Sequence, residues 1–167
     1  MTQHVGTAPF SITSASTSAE VEAFRTLNEA WIYELFTMED GDRAILDDPA
    51  GHVLEPGGDI LVARDAGDEI VGCVALVPYG PSEDGVFELS KMAVDAKTRG
   101  RGVGRAVLLA AIERAREMGA RSIFLGSNST LVDAVHLYES VGFAHVPAEE
   151  IGPMPYARAD IFMRLAL

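Results

Sequence analysis

Apolar positions repeat in two different ways along this chain. Behind Thr17, Val21, Phe24, Leu27, Trp31 and Leu35 recur at helical spacing, and Glu20 three residues after Thr17 completes a capping box. Residues 38–48 are dense in acid and read as a solvated second helix, and 49–58 as a Pro/Gly-rich loop. Short apolar runs then follow at 59–64, 70–77 and 86–94, with a tight turn through Gly67, which predicts an antiparallel meander. In the third run, alternation places Glu88, Ser90 and Met92 on one face and Leu89, Lys91 and Ala93 on the other.

From Val86 onward the order becomes strand, helix, strand, helix, strand, so a right-handed parallel crossover is expected between the fourth and fifth strands. The helix at 106–118 carries Val107, Leu108, Ala111, Ile112 and Ala115 on one stripe. Gly119 closes it, and Gly142 closes the next helix, around Tyr138. Strands are expected at 122–125, 143–146 and 159–165, with a first one around Ile12 and a proline-stiffened loop over 147–158. The fold class is therefore α/β, an α+β mixed sheet of six to seven strands with about four helices. It forms a single domain over 1–167 whose first 16 residues are partly ordered.

Composition narrows the function. The 167 residues are 48% hydrophobic and 23% charged, as a globular chain should be, and 13 Lys+Arg against 25 Asp+Glu give a net charge of −12. That balance disfavours nucleic acid and anionic membrane as partners. No apolar run approaches a membrane span, the first residues lack a signal peptide's basic and apolar regions, and Cys73 is a lone strand cysteine. A reducing cytoplasm is the expected compartment. Histidines 4, 52, 136 and 145 show no ligand spacing, so no metal is expected.

Against this acidic background, Arg99, Gly100, Arg101, Gly102, Val103, Gly104 and Arg105 stand out. Glycines let backbone N–H groups approach an anion closely, and a helix N-terminus adds unpaired donors and partial positive charge. A phosphate-binding P-loop is excluded because Arg105-Ala106 follows Gly104 where Lys-Ser/Thr is required. A dinucleotide fingerprint is excluded because its third glycine and its acidic ribose ligand are missing.

The loop, with Arg99, Gly102 and Gly104 in an Arg-x-x-Gly-x-Gly pattern, resembles the hallmark of the GCN5-related N-acetyltransferases (GNAT). Asn128 and the segment Ala134 to Phe143, with Tyr138 and Gly142-Phe143, extend the resemblance, which is clear over 59–167. It implies acetyl-CoA as co-substrate and a sheet whose fourth and fifth strands splay apart. It also implies cofactor contacts from the backbone of Met92, Ala93 and Val94, from the loop at 99–105, and from Asn128.

The same resemblance makes Tyr138 the candidate acid toward the leaving thiolate and Glu88 the candidate base for the amine. Trp31, Tyr33 and Tyr156 are candidate pocket residues for the acceptor. The implied activity is acetyl transfer to a primary amine by direct attack in a ternary complex. A small-molecule amine is favoured because no appended domain or basic docking patch is present. A peptide amine, a non-catalytic acyl-CoA-binding module and a homodimer stay open as alternatives.

Overall fold

A computed structural model describes residues 9–155 and 157–167. In it seven strands form one mixed sheet ordered β1-β2-β3-β4-β5-β7-β6. β1 (Ser11–Ser14), β2 (Asp59–Arg64), β3 (Ile70–Tyr79) and β4 (Val86–Val94) pair antiparallel in succession. β5 (Ser122–Ser127) joins β4 in parallel, and its other edge carries β7 (Ile161–Ala166), which in turn pairs with β6 (Ala144–His145). Helix α3 (Val103–Glu117) makes the β4–β5 crossover, and α4 (Val132–Ser140) follows β5.

Each face of the sheet covers its own core. On one, α3 and α4 bury Val107, Leu108, Ala111 and Tyr138 against Leu61, Val74, Phe87 and Leu89. On the other, α1 (Ser18–Leu35) and α2 (Asp40–Asp47) bury Phe24, Ile32 and Leu46 against Ile60, Val62, Cys73 and Ala93. Burying such side chains contributes about 1.5–3 kcal/mol each. Cys73 lies wholly inside, where burial pushes its thiol up to about 12, so it is an inert core residue.

The Thr17 capping box forms as the sequence predicts, but the buried stripe of α1 is Phe24, Asn28 and Ile32, and Leu35 is exposed. Helix α3 opens at Val103, ahead of the predicted start. The segment Ala50–Leu54 is a π-helical turn and Ala148–Ile151 a one-turn helix, α5, where the sequence indicated loops.

The largest departure lies in β4. Cys73 pairs with Ala93 but Ala75 pairs with Ser90, so Lys91 and Met92 together oppose one residue of β3. This is a β-bulge, and Lys91 sits in it at φ +55°. The bulge resets the alternation: Phe87 and Leu89 face α3 before it, whereas Met92 and Val94 face α3 after it. Glu88 and Met92 therefore lie on opposite faces, not on the one face that simple alternation predicts.

Candidate active site

Parallel pairing of β4 with β5 covers only Val86, Phe87 and Glu88 against Ser122, Ile123 and Phe124. Beyond it the strands diverge, while β4 stays bonded to β3 and β5 to β7. The gap becomes a cleft of about 930 Å³, walled by residues 89–94 on one side and 125–128 on the other. Met92, Ala93 and Val94 line it; their side chains pack into the two cores, so what they present between the strands is the backbone edge that β5 no longer pairs.

The N-terminus of α3 points into one end of this cleft, which Arg99, Gly100, Gly102, Val103, Gly104 and Arg105 line. Gly102 caps the helix at φ +85° and offers no capping side chain. The first bond into the helix runs from Ala106 N–H to the Gly102 carbonyl, leaving the N–H groups ahead of it without intrahelical partners. An added Cβ at Gly100 or Gly102 would meet no atom within 4 Å, so space for an anion lies over both residues. The Val103 side chain is core and only its backbone can serve a ligand. Arg99 is paired with Glu34 (3.3 Å) and Arg105 donates to Ser140 Oγ (3.2 Å). Arg101 is exposed and does not line the cleft, so its contact with a cofactor finds no support in this geometry.

Tyr138, from α4, lines the cleft with its ring packed edge-on against Phe143 at 5.9 Å. Burial pushes its phenol up to about 12, so it stays protonated and can donate a hydrogen bond across the whole working range. Asn128 lines the cleft too, but its Nδ2 donates to the Arg158 carbonyl (2.7 Å) while its Oδ1 accepts from Thr130 N–H (2.9 Å) and Oγ1 (2.6 Å). Its amide thus fastens the β5–α4 turn to the chain leading into β7.

Lys91 and Arg158, both lining the cleft, belong to a cluster that sequence reasoning missed. Asp42, fully buried on α2, accepts from Lys91 Nζ at 2.9 Å and from both terminal nitrogens of Arg158, at 2.6 and 2.7 Å. Glu39 accepts from Ala157 N–H (2.8 Å) and from Arg158. Burial alone would raise the Asp42 carboxyl; hydrogen bonds from Arg158 and Lys91 overcome it and hold the group well below the usual carboxylate range. Burial lowers Lys91, and Asp42 opposes that shift. Of the acidic run over 38–48, Asp42 is buried and Glu39 partly so, while Asp40, Asp47 and Asp48 are exposed as a solvated helix predicts, Asp47 facing Arg25 and Asp48 accepting from Gly51 N–H.

Asn28 holds the bulge from behind: its Nδ2 donates to the Lys91 carbonyl at 3.1 Å and to the Phe24 carbonyl at 2.9 Å. Ser90, buried and lining the cleft, has an Oγ with no hydrogen-bond partner among the described residues. Leaving a hydroxyl in that state costs about 1–3 kcal/mol.

Of the other predicted residues, Trp31 lines the cleft and packs against Phe36 at 5.6 Å. Tyr33 does not: two positions further round α1 it turns to solvent, 57% exposed, and its hydroxyl accepts from Arg43. Tyr156 lies outside the described residues. Glu88 is half-buried on the face of α1 and α2, close enough to Lys91 to favour its charged form, and is not among the cleft-lining residues. No group of metal-ligating side chains is found among the described residues.

Comparison with known proteins agrees with this geometry. The sequence profile of the Acetyltransferase (GNAT) family matches residues 21–143. The chain is 37% identical over 92 residues to the Escherichia coli (strain K12) N-acetyltransferase YjgM, spanning 55% of this chain and about half (54%) of that protein. To the N-acetylaspartate synthetase of Xenopus tropicalis it is 36% identical over 114 residues, covering 68% of this chain and 41% of that one. A GNAT family acetyltransferase from Elizabethkingia anophelis, solved with acetyl-CoA bound, superimposes with a TM-score of 0.66 at 18% identity over 96% of this chain and all (100%) of that one. With a parted β4 and β5, a glycine-capped α3 between them, and a family profile running from α1 to Phe143, the chain belongs to the GCN5-related N-acetyltransferase family.

Proposed function

We propose that the protein transfers an acetyl group from acetyl-CoA to a primary amine of a small molecule, by direct attack in a ternary complex. The observation that carries this reading is the opening of β4 from β5 after Glu88, with the α3 N-terminus at one end and Tyr138 in the lining. Acetyl-CoA, as co-substrate, supplies an acyl thioester. The N–H groups of Val103, Gly104 and Arg105 would bind its pyrophosphate, because they are donors at a helix N-terminus with open space over Gly100 and Gly102.

The unpaired edge of Met92, Ala93 and Val94 would hold the pantetheine arm and polarise the thioester carbonyl. In the transfer the amine nitrogen bonds to the carbonyl carbon and the C–S bond breaks. The nitrogen gives up a proton and the sulfur takes one. Tyr138 serves the sulfur as a hydrogen-bond donor. Glu88 takes the amine's proton through water, since its carboxylate stands back from the cleft wall. The Xenopus relative's name, an N-acetylaspartate synthetase, supports a small acceptor. Buried Cys73 fits a reducing cytoplasm.

The test is thiol release from acetyl-CoA over a panel of amines and short peptides, with the acetylated product identified by mass spectrometry. Turnover of small amines is expected. Binding of acetyl-CoA without turnover would replace the enzyme with an acyl-CoA-binding module, and turnover confined to peptides would move the acceptor to that class.

A further inference from the structure

Ser90 and Lys91 are consecutive residues that end up on the same side of the sheet. Regular alternation would separate them; the bulge at Lys91 does not. Ser90 pairs with Ala75 of the α1-side core, and Lys91 reaches Asp42 of α2 on that same side. Both line the cleft, and Arg158 joins them there from the segment before β7.

The carboxylates that balance these cations, Asp42 and Glu39, do not line the cleft. Each charge is matched: Lys91 and Arg158 are lining residues whose side chains, 3% and 13% exposed, are held from behind by these carboxylates. Ser90 adds a hydroxyl that is only 4% exposed and bonds to no described residue. Trp31 and Phe36 supply an apolar flank. A wall built this way offers donors to whatever enters. A carboxylate entering there would accept hydrogen bonds from these groups, which a simple alkylammonium cannot do.

We propose that the acceptor is an amine that carries a carboxylate, in chemical class an amino acid. Its carboxylate is bound by Ser90, Lys91 and Arg158, and its amine lies toward the opened edge of β4. This rests on the acetyl-transfer reading above.

The experiment uses the full chain and matched probes: L-aspartate, L-methionine and L-phenylalanine, each beside its α-carboxamide and its decarboxylated amine. In at least one set the acid should exceed both partners in kcat/KM by about tenfold or more, the scale of a charge-assisted hydrogen bond. Ser90→Ala should raise KM for that acid about fivefold to tenfold, leave KM for the decarboxylated amine and for acetyl-CoA unchanged, and leave Tm equal or higher. Arg158→Gln should act in the same direction, but it also strips Asp42 of its main partner, so Ser90→Ala decides if that variant does not fold. Acids no better than their amides and amines in every set, or Ser90→Ala weakening acid and amine alike, would overturn the proposal. Calorimetry on the protein saturated with CoA separates the two readings. Acid binding without turnover of any amine supports the subsite and sinks acetyl transfer. Absence of both acid binding and acid turnover overturns the subsite.

Discussion

Asn28 Nδ2 donates to the carbonyl of Lys91 at 3.1 Å, across 63 positions of sequence. Lys91 holds φ +55°, a conformation that costs a non-glycine residue about 1–2 kcal/mol, and a buried carbonyl turned off the ladder needs a partner. One wholly buried amide on α1 thus fixes the bulge that aims Ser90, Lys91 and the edge of Met92.

Asn28→Ala should therefore destabilise the fold by about 1–3 kcal/mol, the usual cost of leaving a buried polar group unmatched. It should also lower kcat more than it raises KM for acetyl-CoA, because the α3 end of the cleft is untouched. Urea unfolding and steady-state kinetics check both. A stable variant with unchanged kcat would show that the bulge holds itself.

Tyr138→Phe keeps the ring that packs on Phe143 and removes only the hydroxyl. Losing the donor at the sulfur should cost about 10²-fold or more in kcat, with acetyl-CoA affinity nearly unchanged. The phenol ionises near 10 when unfolded and only at about 12 when folded, so between those values the native state binds more protons. Stability of the parent should fall as pH rises through that window, and the Phe variant should lack that fall. Equal turnover in a step shown to be chemical would reduce Tyr138 to packing.

Asp42 works the other way. Its folded carboxyl lies well below the unfolded value of about 3.9, so near and below that pH the unfolded chain binds the extra proton. The stabilisation is present above about pH 4 and is lost as pH falls further. Asp42→Asn leaves Lys91 and Arg158 facing a neutral amide, which should cost about 3–5 kcal/mol at neutral pH and flatten the acid limb of the stability curve. Denaturant titrations from about pH 3 to 7 read both effects. A variant as stable as the parent, with the same acid limb, would contradict the clamp.

Glu88→Gln preserves shape but cannot accept a proton. If the carboxylate takes the proton from the amine, the acidic limb of kcat/KM that belongs to it should vanish and the plateau should drop. A profile and plateau identical to the parent's would leave Glu88 as a member of the Lys91 cluster alone.

Much of this was legible because residue type and spacing agreed. The Thr17 and Glu20 cap, the meander, the glycine loop and the parallel crossover each had a local signature that the fold kept. The acceptor site did not. A left-handed residue is normally announced by Gly or Asn, and here it is Lys91, inside a run that alternates only in part. Asn28 is polar and so was passed over in an apolar stripe, although its burial is tied to the Lys91 carbonyl. The acids of 38–48 look alike in sequence, and most are solvated; only Asp42 is singled out, when Lys91 and Arg158, 49 and 116 positions further on, fold against it. Tyr33 was misplaced because closeness to Trp31 in sequence puts it on another side of α1.

The central claim is that acetyl-CoA lies between β4 and β5 with its pyrophosphate on α3. Amide hydrogen exchange followed by mass spectrometry, with and without saturating acetyl-CoA, tests it most directly. Exchange should slow in the segment Met92, Ala93 and Val94, one edge of which β5 no longer pairs, and at Val103, Gly104 and Arg105, whose amides lack helix partners. Saturable binding that leaves both segments unprotected, or protects a different surface, would contradict the account.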